Sequence, residues 1–234
     1  MRPSLEERID LACRLNHEFP LQSLEDRPAL EASQLDSIPA QCIQTAETNR
    51  FSRSHHANLV QLRTCNPDLT FLLFDARRRD RYMAESWGDH PIGSLYQQAR
   101  FGAMRADLFR YCVIFERGGF YLDINKVLVK PMSSFARSSS AGLISFERTW
   151  CQLPAPPEAI QRLQHPDRYV LQWCFAFAPG HPLLAAMITN ICRYAPAFEG
   201  RRFSKPSEAI RSLTGPGLFT QTVRNYFETH EGDE

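Results

Sequence analysis

Three features that the sequence lacks exclude broad classes of protein. No apolar run approaches the roughly 18 residues that a helix needs to cross a bilayer, so no transmembrane segment is predicted. The first ten residues are charged and lack the apolar core of a signal peptide. Lys and Arg number 27 against 26 Asp and Glu, a net charge of +1, which argues against a general nucleic-acid binder.

Several chemical motifs are also missing. The seven cysteines are scattered and form no Cys-x-x-Cys pair, so neither a zinc ribbon nor a disulfide framework is indicated. A reducing cytoplasm is the predicted location. His-Glu-x-x-His, Gly-x-Ser-x-Gly and the Walker glycine loop are absent, which removes several hydrolase and NTPase classes.

The length and composition fit one globular domain with a single core. Hydrophobic residues make up 43% and charged residues 23% of the 234 positions, which is ordinary for such a domain. Ser4 to Glu18 is predicted to be a helix, because Ser4 and Glu7 have capping-box spacing. We therefore divide the chain into an N-terminal helix and connector, residues 1–36, and one globular domain, residues 37–234.

The first part of that domain alternates between strand and helix patterns. Ile38 to Ala46 and the apolar run Leu69 to Phe74 are predicted strands. Phe51 to Thr64 and Arg77 to Ser86 are predicted helices. This alternation predicts an α/β layered fold.

The segment from Ser94 to Pro131 carries the strongest pattern. Four apolar residues recur on one face of a helix: Met104, Leu108, Cys112 and Phe115. Gly118-Gly119 is predicted to end that helix. The apolar strand from Phe120 to Leu122 then runs into Asp123-Ile124-Asn125, and Val127 to Val129 is predicted to continue it.

The remaining elements are predicted from shorter patterns. Ala141 to Phe146 and Tyr169 to Ala178 are strand candidates, separated by a proline-rich loop from Thr149 to Asp167. The predicted helices run from His181 to Arg193, Ser207 to Leu213 and Leu218 to Phe227.

Asp123 and Asn125 form a polar pair at the exit of a buried strand. In open α/β sheets, ligands bind outside the carboxyl ends of the strands. Two oxygens at positions i and i+2 share one face of a regular strand and can hold a hard cation such as Mg²⁺ or Mn²⁺. A plain turn is the alternative interpretation of an Asp-x-Asn sequence.

Asp107 and Arg110 lie on the preceding helix at i and i+3, so they are neighbours. One interpretation is a surface ion pair, worth about 0.3–0.5 kcal/mol. The other is a carboxylate that accepts hydrogen bonds from sugar hydroxyls, with a guanidinium beside it for phosphate or sugar oxygens.

Arg105–Tyr111 and Gly118–Asn125 together resemble the DxD-containing sugar-binding region of family 32 glycosyltransferases. This family includes the yeast initiating α-1,6-mannosyltransferases and, more distantly, the clostridial glucosylating toxins. The resemblance covers about residues 37–220. Shorter landmarks occur in the family's order at Ile38-Pro39, Ile43–Thr45, Asn66-Pro67, Phe74-Asp75, Ala178–Leu183 and Thr214–Pro216.

The resemblance implies a GT-A fold, with a mixed central sheet flanked by helices. It implies retaining transfer of a hexose from a nucleoside diphosphate sugar (UDP- or GDP-hexose) to a glycan or lipid-linked acceptor, with Mn²⁺ or Mg²⁺. It also assigns roles to seven positions. Asp107 and Arg110 contact the donor sugar, Tyr121 lies near the donor, Asp123 and Asn125 bind the metal and diphosphate, and Gln44 and Thr45 line the nucleotide pocket. Asp107, Arg110 and Asp123 form the expected catalytic set.

Two positions depart from the family pattern. Asn125 stands where the family usually has Asp, which removes a charge from the expected metal site. A non-catalytic relative that binds a nucleotide sugar or glycan is therefore the alternative function. His230 is the late candidate for the further metal ligand that family members often carry, and an exposed tail histidine is the simpler interpretation.

Two further interpretations stay open. Asp123–Val127 superficially fits the haloacid dehalogenase phosphohydrolase motif, although that motif needs an acid at position 125. Arg77–Arg81 is most simply a solvated helix face, with attraction of an anionic acceptor or of lipid head groups as the alternative. The family resemblance implies a role in surface polysaccharide assembly, which would place the protein in the cytoplasm, at the inner face of the membrane.

Overall fold

The computed structural model describes residues 6–7, 20–128 and 130–230. Nine strands occur in these ranges: β1 Gln22–Ser23, β2 Gln41–Thr45, β3 Arg50–Phe51, β4 Thr70–Phe74, β5 Gly119–Leu122, β6 Gly142–Leu143, β7 Phe146–Trp150, β8 Arg168–Val170 and β9 Cys174–Phe177. The same ranges contain eight α-helices: α1 Arg53–Thr64, α2 Ala76–Trp87, α3 Pro91–Gln98, α4 Gly102–Arg117, α5 Pro157–Arg162, α6 Pro182–Tyr194, α7 Pro206–Leu213 and α8 Pro216–Thr229.

A five-stranded sheet in the order β4-β2-β5-β9-β6 forms the centre of the fold. β2 pairs in parallel with β4 and with β5, whereas β9 is antiparallel to both β5 and β6. The carboxyl ends of β2, β4 and β5 therefore meet at one edge of the sheet. Helices pack around this sheet, so the predicted α/β fold with a mixed central sheet flanked by helices is confirmed.

The junction between α4 and β5 has the predicted form. Residues 107–114 of α4 are all buried, and the apolar ones among them pack in the main core. Gly118 ends the helix with φ of +66°, a conformation that residues with a Cβ rarely adopt. A Cβ at Gly118 would also lie 2.7 Å from Cδ of Pro179. The tight turn sends the chain directly into β5 and brings Asp123 to the edge of the sheet.

Residues 20–36 lie against the domain that contains the central sheet. β1 pairs with β3, and Arg27 forms an antiparallel bridge with Phe71 on the outer edge of β4. The Arg27 guanidinium also donates to the carbonyl oxygens of Asn66, at 2.6 Å, and Leu69, at 3.0 Å. The helix predicted from Ser4 to Glu18 falls outside the described residues except for 6–7, and the domain boundary at residue 36 stays a prediction.

Several predicted elements differ from those observed. Residues 126–128 form no strand, because the chain turns at Ile124 and Asn125 instead of continuing β5. The two long strands predicted over 141–146 and 169–178 are each broken, and parts of both form the separate β7–β8 pair. Helices α3 and α5 were not predicted; each begins with a proline, which suits the first turn of a helix.

Candidate functional site

A cleft of about 560 Å³ lies at the carboxyl ends of β2 and β5. Its lining comes from the chain after β2, from α4, from the turn at Asp123–Asn125, and from α7 and the start of α8. This is the topological switch point of the sheet, where β2 has β4 on one side and β5 on the other. A second cavity of about 570 Å³, at Phe177 and His181, contains none of the predicted site residues.

Asp107 and Arg110 form a buried ion pair on the floor of this cleft. Arg110 Nη2 lies 3.0 Å from Asp107 Oδ1, and each side chain is only 6% exposed. Arg110 Nη1 donates to the carbonyl oxygen of Gln172 at 2.8 Å, and Thr214 donates its hydroxyl to Asp107 Oδ2 at 2.9 Å. The interpretation of this pair as a surface ion pair is therefore wrong.

Asp123 joins the same cluster from the end of β5. Its Oδ1 lies 3.1 Å from Arg110 Nη2 and accepts the Tyr121 hydroxyl at 3.0 Å. The Arg110 guanidinium in turn lies over the Tyr121 ring, 4.6 Å from its centroid. The Asp123 side chain is 29% exposed, and no described residue contacts its Oδ2. One cation therefore holds two carboxylates, and the outer one keeps an oxygen for a ligand.

The turn that carries Asn125 is held by backbone contacts. The Lys126 amide donates to the carbonyl oxygen of Asp123 at 3.0 Å, which closes the turn. His55 Nε2, on α1, lies 2.8 Å from the carbonyl oxygen of Ile124. Asn125 itself is exposed and lines the cleft. His55 thus ties α1 to this turn.

Burial sets the proton affinities of the cluster. It raises the pKa of Asp107 to about 6, since loss of solvation outweighs the opposing effects of Arg110 and Thr214. Burial lowers the pKa of Arg110, but Tyr121, Asp123 and Asp107 raise it by more, so its net shift is upward. Arg110 is therefore a permanent cation, whereas Asp107 is a carboxylate whose charge is costly to bury.

The raised pKa of Asp107 predicts a specific dependence of stability on pH. A carboxyl group with a raised pKa favours folding below the unfolded pKa of 3.8, and this contribution is lost as pH rises through about 6. Asp107→Asn cannot lose a proton. The unfolding free energy of Asp107→Asn, relative to the natural protein, should thus increase by about 2.5 kcal/mol between pH 4 and pH 7.5, measured by urea denaturation. A difference that stays constant across this range would contradict the prediction.

Three of the predicted residues lie away from the cluster or at its margin. Thr45 lines the cleft, and its hydroxyl donates to the carbonyl oxygen of Phe74 at 2.8 Å. Gln44 is fully buried beside the carbonyl oxygen of Leu122 and does not line the cleft. His230 follows α8 and stacks on Tyr226 at 4.0 Å. α8 meets the cleft at its first residues, about 20 Å from its far end, so the structure does not bring His230 to Asp123.

Four residues at the cleft were missed as site residues by the sequence analysis: Glu47, Arg79, Gln172 and Thr214. Thr214 was noted only as part of a family landmark. Arg79 was assigned with its neighbours to a solvated helix face, yet it is only 1% exposed. A local signal existed, because the apolar residues Tyr82 and Met83 follow Arg79 at i+3 and i+4 and therefore share its face of α2.

The oxygen atoms in the cleft suit a divalent cation whose remaining ligands come from a substrate. No group of three or more His, Cys, Asp or Glu that could hold a metal occurs in the described part of the chain. Asp123 and Asn125 offer carboxylate and amide oxygens, the ligand types of Mg²⁺ and Mn²⁺. Mg²⁺ is commonly held by one or two carboxylates and completed by phosphate oxygens and water. The oxygen ligands present therefore fit an ion of this type only where phosphate oxygens and water complete its coordination.

Comparison with known proteins identifies the region that contains the cluster. Residues 35–142 match the family described as "Glycosyltransferase sugar-binding region containing DXD motif". The initiation-specific α-1,6-mannosyltransferase of Schizosaccharomyces pombe is 26% identical over 71% of this chain and 43% of its own length. The Candida albicans protein of the same name is 28% identical over 69% of this chain and 45% of its own length. The chain thus spans less than half the length of these relatives.

A solved structure of the PaToxG glycosyltransferase shares the fold. It superposes with a TM-score of 0.59, covering 96% of this chain and 77% of that chain at 15% identity. None of the described helices is long and apolar enough to cross a membrane. Residues 35–142 therefore match the glycosyltransferase sugar-binding region family, with Asn125 in place of the last Asp of the motif, and this match confirms the resemblance drawn from the sequence.

Proposed function

We propose that the protein is a retaining, metal-dependent glycosyltransferase that moves a hexose from a nucleoside diphosphate sugar to a glycan or lipid-linked acceptor. The observation that carries this proposal is the buried cluster of Asp107, Arg110 and Asp123 at the floor of the cleft. A fold gains little stability from a buried carboxylate and a half-buried one on the same guanidinium, since desolvation offsets their attraction. Such a cluster at the carboxyl edge of the sheet favours a role in binding.

Each member of the cluster has a role in this proposal. Arg110 donates hydrogen bonds to oxygens of the nucleoside diphosphate sugar. Asp107, which Arg110 holds in place, accepts hydrogen bonds from the hexose hydroxyls. Asp123 and Asn125 hold the Mn²⁺ or Mg²⁺, which supplies positive charge to the departing diphosphate. The protein thus orients the donor and excludes water from its buried side.

Front-face transfer is the proposed route, in which the acceptor hydroxyl attacks from the side that the diphosphate leaves. Asp107 is the buried carboxylate of the cluster, but both its oxygens already have partners, Arg110 on Oδ1 and Thr214 on Oδ2. This pairing makes it a poor nucleophile for a covalent intermediate. The leaving phosphate, rather than a side chain, takes the proton of the acceptor.

The donor is the part of the proposal that one experiment can test directly. A panel of UDP- and GDP-hexoses should be incubated with the protein and Mn²⁺ or Mg²⁺, and release of the nucleoside diphosphate measured. Hydrolysis or transfer of one donor that stops on addition of EDTA is the expected result. Failure of every donor to react, with and without glycan acceptors, would overturn the enzymatic proposal.

Restoring the missing charge should strengthen the metal site. Asn125→Asp adds a second carboxylate, and cation affinity rises with the charge of the ligands. We expect the Mn²⁺ concentration that gives half-maximal donor hydrolysis to fall about tenfold, measured by titration against the natural protein. Asn125→Ala, which removes the amide oxygen, should raise that concentration. Equal Mn²⁺ dependence in all three proteins would show that position 125 does not ligate the metal.

A non-catalytic binder is the second candidate function, and Asn125 is the observation that favours it. Its neutral amide provides less attraction for a cation than the carboxylate that the family usually has there. Calorimetry with nucleotide sugars, with and without Mn²⁺, separates the two functions when combined with the donor panel. Binding without turnover under every condition would favour the binder. Surface polysaccharide assembly belongs to the proposal through the family resemblance alone. A cytoplasmic location and peripheral membrane contact belong to it also through the scattered cysteines and the basic run Arg77–Arg81.

A further inference from the structure

The cleft continues past the Asp107–Arg110–Asp123 cluster to the end of β2, where a second charged pair lies. Glu47 and Arg79 both line this part of the cleft. Arg79 Nε donates to the Tyr96 hydroxyl and Nη2 to Glu47 Oε1, each at 3.0 Å, while Nη1 donates to the Thr45 hydroxyl at 3.2 Å. The guanidinium is therefore held on all three nitrogens before any ligand arrives.

Glu47 differs from Arg79 in its exposure. The Glu47 side chain is 67% exposed, whereas that of Arg79 is 2% exposed. The contact with Arg79 uses Oε1, and no described residue contacts Oε2. A Cβ on Gly102 would lie 2.8 Å from Glu47 Oε1, so the glycine at the start of α4 leaves room for this carboxylate. Glu47 is thus an oriented acceptor with one oxygen open to the cleft.

The position of this pair relates it to the proposed donor. The hexose contacts, Asp107 and Arg110, lie on α4, and the diphosphate and metal contacts lie just after β5. Glu47 follows β2, the parallel neighbour of β5, at the same edge of the sheet. If the hexose of the donor binds at α4 and its diphosphate at Asp123, the nucleoside needs a further part of the cleft. The cleft continues toward β2, so this is the part available to the nucleoside.

We propose that Glu47 is a specificity-determining residue that accepts hydrogen bonds from the ribose hydroxyls of the donor, an inference that rests on the proposed function. A carboxylate accepts hydrogen bonds only, and a ribose diol offers two adjacent hydroxyl donors. Dinucleotide-binding folds use an acidic residue near a strand end for the same group. Arg79 holds Glu47 in place, because the other contacts of Arg79, to Tyr96 and Thr45, fix its guanidinium.

The test compares ribose with its dideoxy form in two proteins. Calorimetry in the presence of Mn²⁺ first identifies which of UDP and GDP binds more tightly. The affinity of that nucleotide is then compared with the affinity of its 2′,3′-dideoxy analogue. In the natural protein the analogue should bind at least about tenfold more weakly, the loss expected for hydrogen bonds to a charged group. In Glu47→Gln, which keeps an oxygen for Arg79, that ratio should fall to about threefold or less.

The control and the outcomes separate this inference from the proposed function. Glu25→Gln changes an exposed carboxylate outside the cleft and should leave the ratio unchanged. An unchanged ratio in Glu47→Gln, with tight nucleotide binding, would overturn the role of Glu47 and leave the glycosyltransferase proposal standing. Absence of binding by both UDP and GDP would overturn this inference, and failure of the whole donor panel would overturn the proposed function.

Discussion

Asp123→Asn is expected to reduce sugar transfer by about 10³-fold while the protein remains folded. Removing one preorganised electrostatic contact to a developing charge typically costs 10²–10³-fold in rate, and Asp123 is proposed to provide both a metal contact and an orienting contact. The variant keeps an Oδ1 that can accept the Tyr121 hydroxyl and an Arg110 N–H. The loss should therefore lie in catalysis rather than in folding.

Initial rates of transfer and thermal unfolding should be measured together. The melting temperature of Asp123→Asn should stay within a few degrees of the natural protein, because Arg110 keeps Asp107 as its buried partner. Asp89→Asn alters an exposed carboxylate outside the cleft and should retain full activity. Asp123→Ala should lose activity to the same extent. Full transfer by either Asp123 variant would refute the proposed role of this residue.

Local sequence patterns predicted the part of the site that lies on adjacent elements. The helix ending at Gly118 and the strand that follows are each defined by short-range periodicity, and Asp107, Arg110 and Asp123 lie within this one helix–turn–strand unit. Spacing placed Asp107 beside Arg110, and the strand ended within one residue of the polar pair. The pattern did not show how deeply the side chains are buried. The burial of Asp107 depends on Gln172 and Thr214, which are distant in the sequence.

The opposite wall of the cleft depends on contacts that short-range patterns do not contain. Glu47 becomes notable only when α2 brings Arg79 beneath it, 32 residues away. The strands predicted between residues 141 and 178 were wrong for a similar reason. Its apolar runs suit one long strand each, but the chain divides them between the central sheet and the β7–β8 pair. The choice between these arrangements is made by packing against the rest of the core.

Arg110→Met is expected to be the most destabilising substitution in the cluster. Methionine fills similar space but leaves Asp107, which is 6% exposed, without its cation. Removing one partner of a buried ion pair typically costs about 3–5 kcal/mol, which is roughly 10 °C in melting temperature for a chain of this size. Urea denaturation at pH 7.5 measures this loss. Arg201→Met, an exposed arginine outside the cleft, should change stability by less than about 0.5 kcal/mol.

The double variant Asp107→Asn/Arg110→Met distinguishes loss of the cation from loss of packing. If the cost comes from the uncompensated carboxylate, removing that charge as well should restore about half of the lost unfolding free energy. The penalty of Arg110→Met alone should also shrink at pH 5, because Asp107 without its cation binds a proton more readily. Stability losses that simply add in the double variant would mean that Arg110 supports the fold through its packing on Tyr121, and that charge compensation is not its main contribution.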